Sequence, residues 1–481
     1  MNAVRGPAII ALSVLLSAAV ALPSDTTDVF GAETRFEARA AAVLDRDSTA
    51  LWFCLGPTVE LDGISERTVE VVGISTSTTK GRVTVVDDNG RVVERAFQID
   101  PGDRLEVSPG QFVSGAVFAG VTVEVSGGAV VVSQTVSGPT GVDRRPCTTR
   151  AADTWVTPWL TTARPGNRAW LLLHNPFRAA AVLDLRFVGD IGRREALDSQ
   201  GVVVPGRAIV AYDVTERIAD SSVVSATVNA RAGRVVVARL QISDGSGPLA
   251  VSGLDLAPGI PELATRAFVP GVGVGETSTT GSTVVVVNAN TETVEAEVVA
   301  RTAVGTAMVE PWRLELRAGQ RYVVDLDDGR LAGVDAFGVE IRSLDDHPIA
   351  ASVVRRAVDG LPGLAVRPAV AVAARGWVVD LVDRYGAVED VLAVMNPASE
   401  GIVTIEVKVL AGMAPADVAR IVELAPGTQV SFDLEAGPPV VLAVEATAPV
   451  IVSVQSIGES GATASVAVAV AGTEQRLVLN R

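Results

Sequence analysis

His174 and His347 are the two histidines of a 481-residue chain, and histidine is the side chain best suited to moving a proton near neutral pH. His174 stands in "LLLHNPFRAAAVLDLRF", residues 171–187, directly before Asn175 and Pro176. A catalytic role would require a nucleophile or an orienting carboxylate brought to it by the fold. The slot of His174 is filled by Val287 and Met395 in two later copies of the same phrase, and His347 in "DDHPIAAS" aligns with Ala448. Both histidines therefore read as packing or strand-end residues, and Asn-Pro as a corner in which Asn bonds the backbone and Pro sets φ. Asp213, Asp325 and Asp433 recur in "YDV", "VDL" and "FDL", one per copy, whereas glycoside hydrolysis needs two carboxylates flanking one bond. They read as turn or strand-end residues. "GVGVGETSTTG" at 271–281 has the glycines of a phosphate loop without its lysine or its following helix. "DLDDGR" (Asp325 to Arg330) and "VDDNGR" (Val86 to Arg91) are dense in carboxylates but lack the EF-hand spacing, and the second reads as a hairpin turn on Asn89-Gly90. No catalytic residue, no cofactor and no metal site is expected.

Cys54 and Cys147 are the only cysteines, and in an exported chain two cysteines read as one disulfide. Without a nearby histidine they do not match a zinc spacing. Trp159, Trp170 and Phe177 are aromatics that the other copies do not share, and Trp170 lies on one strand face with Leu172 and His174. Core packing is the plainer reading. The binding alternative is that these three rings stack on sugars or anchor a partner.

The elements that must hold these residues repeat. "LLLHNPFRAAAVLDLRF" returns as "VVVVNANTETVEAEVVA" (284–300) and "LAVMNPASEGIVTIEVKVL" (392–410). From each Asn, at 175, 288 and 396, a small residue followed by Gly comes 30 positions later, at 205, 318 and 426. A weaker copy with Pro101-Gly102 precedes them, so the unit is about a hundred residues long, a domain and not a solenoid repeat. Inside a unit the period is two: Leu183, Leu185 and Phe187 inward, Val403, Ile405, Val407 and Val409 inward, Glu295 and Glu297 outward. Strict alternation gives strands with one wet face, hence antiparallel sandwiches. Trp52, Trp155, Phe268 and Trp377 mark an opening strand in each unit. The expected fold is all-β, a tandem array of four immunoglobulin-like antiparallel sandwiches at 50–150, 151–262, 263–372 and 373–481. Gly- and Pro-rich linkers, each including a hairpin back into the preceding sheet, suggest beads with limited freedom.

Residues 1–21 hold Arg5 and an apolar run ending in "AVA" at Ala19 to Ala21, a signal peptide or an uncleaved N-terminal anchor, with 22–49 as linker. A net charge of −16 without a basic run argues against nucleic acid. Membrane association is expected only through that N-terminal segment.

The "LWFCLGP" opening, the "PC" of Pro146-Cys147, the "NP" corners and the "PG…DL" returns resemble an uncharacterised family of secreted actinobacterial proteins known only as a domain of unknown function. The resemblance covers most of residues 50–481 and implies export, with no assigned active site. The expectation is a secreted or envelope-associated, non-enzymatic interaction or scaffold protein whose partner is an envelope protein or a cell-wall polymer. A carbohydrate- or polymer-binding accessory is the first alternative and an envelope hydrolase or transferase the second.

Overall fold

The computed structural model describes residues 49–274, 282–303, 309–334, 336–356, 363–381, 387–412, 420–434, 437–458, 461–470 and 474–476. The expected N-terminal signal, its linker and most of the 271–281 glycine loop lie outside the described residues.

In the first sandwich the strands are β1 (Thr49–Pro57), β2 (Glu66–Gly73), β3 (Thr79–Asp87), β4 (Val92–Ile99), β5 (Arg104–Val107), β6 (Phe118–Ser126), β7 (Val130–Gly138) and β8 (Gly141–Pro146). Two sheets result, ordered β1-β6-β3-β4 and β5-β2-β7-β8, with every pairing antiparallel. Valine dominates these strands because its branched Cβ suits a pleated, buried surface and costs a helix more than it costs a strand. Asn89-Gly90 makes the β3–β4 turn, with Gly90 at φ 80° and Val86 opposite Val92. The architecture is an antiparallel sandwich like that of immunoglobulins with the edge pairings exchanged: the first strand pairs with the sixth instead of the second, and the seventh with the second instead of the sixth.

The same order recurs further along the chain. Ala208–Asp213, Asn167–Asn175, Val236–Asp244 and Ser252–Pro258 form one sheet in the order of β5-β2-β7-β8, and Arg321–Asp325, Ser282–Val287, Ala350–Arg356 and Leu364–Pro368 form another. In the C-terminal part, Val440–Gly458 runs through both layers and joins them into one nine-stranded network. Among the described residues the helices are single turns, Pro109–Phe112 and Val214–Arg217.

Alternation holds for Leu183, Leu185, Phe187, Ile405 and Val407, all buried, and fails in two places. Val409 emerges exposed because the register shifts between Val409 and Ala411 and turns Ala411 inward instead. Glu297 is buried against Arg342 on the neighbouring strand, so an ion pair takes the place of water.

Cross-strand register also corrects the position of Phe268. Phe53, Val156, Phe268 and Val378 face Thr148, Ile260, Val370 and Val468 in the same manner. The residue preceding each is Trp52, Trp155, Ala267 and Trp377, so the third unit has alanine where the others have tryptophan. Trp155 and Trp377 donate their indole N–H to the carbonyls of Val235 and Val450, both at 2.9 Å. Cys54 and Cys147 form the disulfide, which ties β1 to the segment after β8 across 93 positions. A loop of that length contributes about 4–5 kcal/mol on the chain-entropy model.

The corner is built identically three times. Asn175 donates to the carbonyls of Ala179 and Val204 and accepts the N–H of Phe177. Asn288 does so with Glu292, Leu316 and Asn290, and Asn396 with Gly401, Leu424 and Ala398. In the first sandwich the place belongs to Gly73, whose own N–H and carbonyl pair with Asp103 and Gly102, and a Cβ there would come within 2.4 Å of the Asp100 carbonyl oxygen. The backbone has closed into the space an Asn side chain fills elsewhere.

The units are not beads. Among the described residues the terminal strands β8, Ser252–Pro258, Leu364–Pro368 and Gly461–Val466 pack against one another in a cycle, the last returning to the first. Hydrophobic clusters shared between successive units line the contacts. Apolar area on the sheet faces, expected to meet water or a flexible neighbour, is buried instead.

Candidate functional site

The four terminal strands carry one hexapeptide pattern: Gly141-Val-Asp-Arg-Arg-Pro146, Gly253-Leu-Asp-Leu-Ala-Pro258, Gly363-Leu-Ala-Val-Arg-Pro368 and Gly461-Ala-Thr-Ala-Ser-Val466. The opening glycine permits close approach. A Cβ on Gly253 would stand 2.6 Å from the Leu364 backbone N, and one on Gly461 would stand 3.0 Å from that of Val142. This repeat is the signal in the sequence that could have located the junction. It is missed when attention stays on aromatics and histidines.

At the third position of the pattern a side chain reaches to the next unit. Asp143 Oδ2 accepts the N–H of Leu256 at 2.6 Å, Asp255 Oδ2 that of Val366 at 2.6 Å, and Thr463 Oγ1 that of Arg144 at 3.2 Å. Acceptors sit at position three and donors at position four of the following strand, so the fourth unit closes on the first. Ala365 has no acceptor, and at the third junction it packs with Ala462 and Ala464 of the fourth unit instead.

A buried charge cluster occupies the first two junctions. Arg145 donates to Asp143 at 2.9 Å, to Asp255 at 2.6 Å and to the Val366 carbonyl at 2.8 Å, while Arg239 also donates to Asp255. Two carboxylates face two guanidinium groups, which is how charges survive burial. Burial pushes the Asp143 carboxyl up to about 6 against the opposing pull of Arg145. Burial also opposes the charge on Arg145, but Asp143 and Asp255 outweigh it and hold that guanidinium above its ordinary value.

Beside the cycle lie four seams, each formed by the opening strand of one unit against the next unit. In the first, Arg67 is wholly buried and donates to the carbonyls of Cys54, Gly56 and Ala119. In the second, Trp159 takes the position of Gly56 and packs with Val285, Val287 and Val354 of the third unit. In the third, Gly271 takes that position, and Arg367 donates to the carbonyls of Pro270 and Gly271, both at 2.8 Å, and reaches Ser453 and Gln455 of the fourth unit. Burial lowers both Arg67 and Arg367 to about 9. In the fourth, Leu381 stands there, and the seam is crossed by an ion network. Arg144 meets Asp380 at 2.8 Å and Glu70 at 3.1 Å, Arg104 meets Glu70 at 2.9 Å and Asp380 at 3.3 Å, and Ser133 donates to Asp380 at 2.8 Å.

His174 belongs to the first seam. Its Nδ1 lies 3.1 Å from the Ala208 carbonyl, its ring stands 6.3 Å from that of Phe53, and burial lowers its pKa to about 4. Gly120 lies beneath it, since a Cβ there would come within 3.0 Å of the imidazole; Gly338 makes the same room for Met395 in the third seam. His347 is half-exposed and lies 3.3 Å from both Glu292 and Asp345. Asp213 caps the helical turn Val214–Arg217 through the Glu216 N–H, and Asp325 accepts the N–H of Asp327, turn roles for both.

The three candidate stacking rings are not brought together. Trp159 is 3% exposed in the second seam, and Trp170, 8% exposed, packs against Phe118 in the first. Neither offers a face to a sugar, because contact between neighbouring units covers them. Phe177 is 40% exposed, with Arg234 over its ring. Among the described residues no group of three or more His, Cys, Asp or Glu is placed to hold a metal, and no helix is long and apolar enough to cross a membrane.

Residues 125–435 match the model of a family described as a family of unknown function (DUF5719). No curated protein matches the chain. Among solved structures it is similar to a "Crystal structure of tetra-tandem repeat in extending region of large adhesion protein", at 12% identity over 89% of this chain and 99% of that one, with a TM-score of 0.09, too low to bear on the fold.

Proposed function

The chain belongs to the DUF5719 family of unknown function, and we propose that it is an exported, non-enzymatic scaffold of the cell envelope that holds a protein partner in place. One observation carries the reading: the side chains with chemical capacity are spent on joining the units. Asp143, Arg145, Arg239 and Asp255 pair with one another across the first two units, and Arg367 bonds carbonyls of the third unit and side chains of the fourth. A body locked in this way keeps surface groups at fixed separations, as a scaffold must. The Cys54–Cys147 bond supports an oxidising, extracytoplasmic setting.

Crosslinking and affinity capture of the full chain from its own envelope tests this. The expected result is one envelope protein recovered at fixed stoichiometry, unchanged by Phe177→Ala. Turnover of an envelope substrate that disappears on a single Asp or Ser substitution would overturn the reading, as would recovery of a cell-wall polymer alone.

A further inference from the structure

The fourth seam contains a cavity of about 260 Å³ between the first and last units, the neighbours that the chain does not join directly. Ser453 lies opposite Val466 as Ser133 lies opposite Pro146, so Ser453 and Gln455 correspond to Ser133 and Thr135. Arg367, fifth in its hexapeptide, corresponds to Ser465. Arg367 reaches Ser453 and Gln455 of the next unit, whereas Ser465 lines the cavity together with Ser133 and Thr135. The guanidinium of the fourth seam comes instead from Arg144 on β8, which meets Ser133 and Asp380 and leaves the volume beside Ser465 open.

The polarity of the walls is graded. Thr135 lies opposite Arg144 and Ser456 opposite Thr463, while Thr463 accepts the Arg144 N–H and donates to the Arg144 carbonyl, so these residues share one level. Two residues further along the strands come Ser133 and Ser465, and beyond them Val131, Val378 and Val468, which belong to one hydrophobic cluster. Among the described residues the hydroxyls of Thr135, Ser456 and Ser465 make no hydrogen bond, although all three line the cavity. Ser465 is 7% exposed, so its hydroxyl depends on whatever fills that space. The charges on the walls are all engaged: Arg144 with Asp380, Arg145 with Asp143 and Asp255, and Asp390 with a partner of its own. An ionised ligand would be buried here without a counter-charge, a penalty that an uncharged one escapes.

We propose that this cavity is a binding site for a small uncharged amphiphile, an aliphatic chain ending in a hydroxyl. The head would bond Thr135, Ser456 and Ser465, whose hydroxyls both donate and accept. The chain would lie along Val131, Val378 and Val468. An apolar cavity of roughly 150 Å³ holds one benzene ring, so this one has room for about ten non-hydrogen atoms. Touching the first and last units at once, the ligand would tighten the contact that closes the cycle.

The test is calorimetry and thermal denaturation of the full chain with 1-octanol, beside octanoate and n-octylammonium, which carry the same chain on a charged head. Saturable binding of octanol at a single site, with a raised Tm and at least about tenfold preference over both ions, is expected. Ser465→Leu, which fills the cavity and removes one hydroxyl, should weaken octanol at least about tenfold. If that variant does not fold, Ser456→Leu is read in its place. Methyl NMR of the unaltered chain should show octanol in contact with Val131, Val378 and Val468, a readout that needs no substitution. Equal affinity for either ion, no saturable binding, binding untouched by the substitution, or octanol contacts confined to other valines overturns the proposal.

Discussion

The third and fourth seams are made from the same backbone positions and solved in opposite ways. In the third, Arg367 is buried without a carboxylate and is held by carbonyl oxygens, a hydroxyl and an amide. In the fourth, Asp380 joins Arg104, Arg144 and Glu70 in a network at the edge of an open cavity. Repetition therefore copies where a side chain must act and leaves open what acts there. A buried guanidinium with neutral acceptors pays its desolvation through many hydrogen bonds, whereas a partly wet ion network leaves volume unfilled.

The strongest way to break the contrast is Arg367→Ala, which takes this donor from the Gly271 carbonyl, leaves the Pro270 carbonyl to Ser453 alone and opens a second cavity. A loss of about 3–5 kcal/mol in chemical denaturation is expected from the lost charge-assisted hydrogen bonds and the cavity left behind, and n-propylguanidinium, the arginine side chain as a free molecule, should restore part of it. A loss near zero would mean that those carbonyls find other donors. Asp380→Ala should cost less, about 1–3 kcal/mol, because Glu70 still pairs with both arginines and the network is partly wet. Were it to equal Arg367→Ala, the two seams would be energetically alike. Asn396→Ala removes the corner beside the third seam, and Asn175→Ala the corner beside the first. Each should cost about 1–2 kcal/mol, since both lose the same set of backbone partners.

The smallest effect at neutral pH comes from titration, and its sign differs between two buried groups. Asp143, raised to about 6, binds its proton more readily in the folded chain, so its contribution to stability grows as pH falls from about 6 toward 4. His174, lowered to about 4, contributes stability that is present above its ordinary value of 6.5 and is lost as pH falls toward 4. Denaturation midpoints between pH 7 and 4.5 should thus decline less steeply in His174→Gln and more steeply in Asp143→Asn than in the unaltered chain. Parallel profiles for all three would remove both groups from the pH response.

Much of the fold was legible before any coordinates. The Asn corner could be read from its thirty-residue interval to a small-Gly pair, because a side chain that bonds carbonyls at a set distance along the chain constrains spacing directly. The Cys54–Cys147 bond was legible because two cysteines leave one pairing. Alternation located Leu183, Leu185 and Phe187, but not Val409 or Glu297, since a bulge and a buried ion pair arise from neighbouring strands. The seams were hidden for a different reason. Trp159 and Trp170 stand out in the sequence because they do not recur, and non-recurrence is equally the mark of a residue fitted to one particular neighbour.

By itself the sequence determined the strands, the corners, the disulfide and the number of times the pattern returns, because these depend on residues close in the chain or on counts. The tertiary structure alone decided that the terminal strands meet in a cycle, that His174 and both tryptophans are covered, and that Arg144 reaches Ser133 and Asp380 beside Ser465 where Arg367 acts one seam earlier. Those outcomes rest on contacts between units about a hundred residues apart. At that distance one arginine and one serine at equivalent positions look like ordinary variation until packing shows which space each must fill.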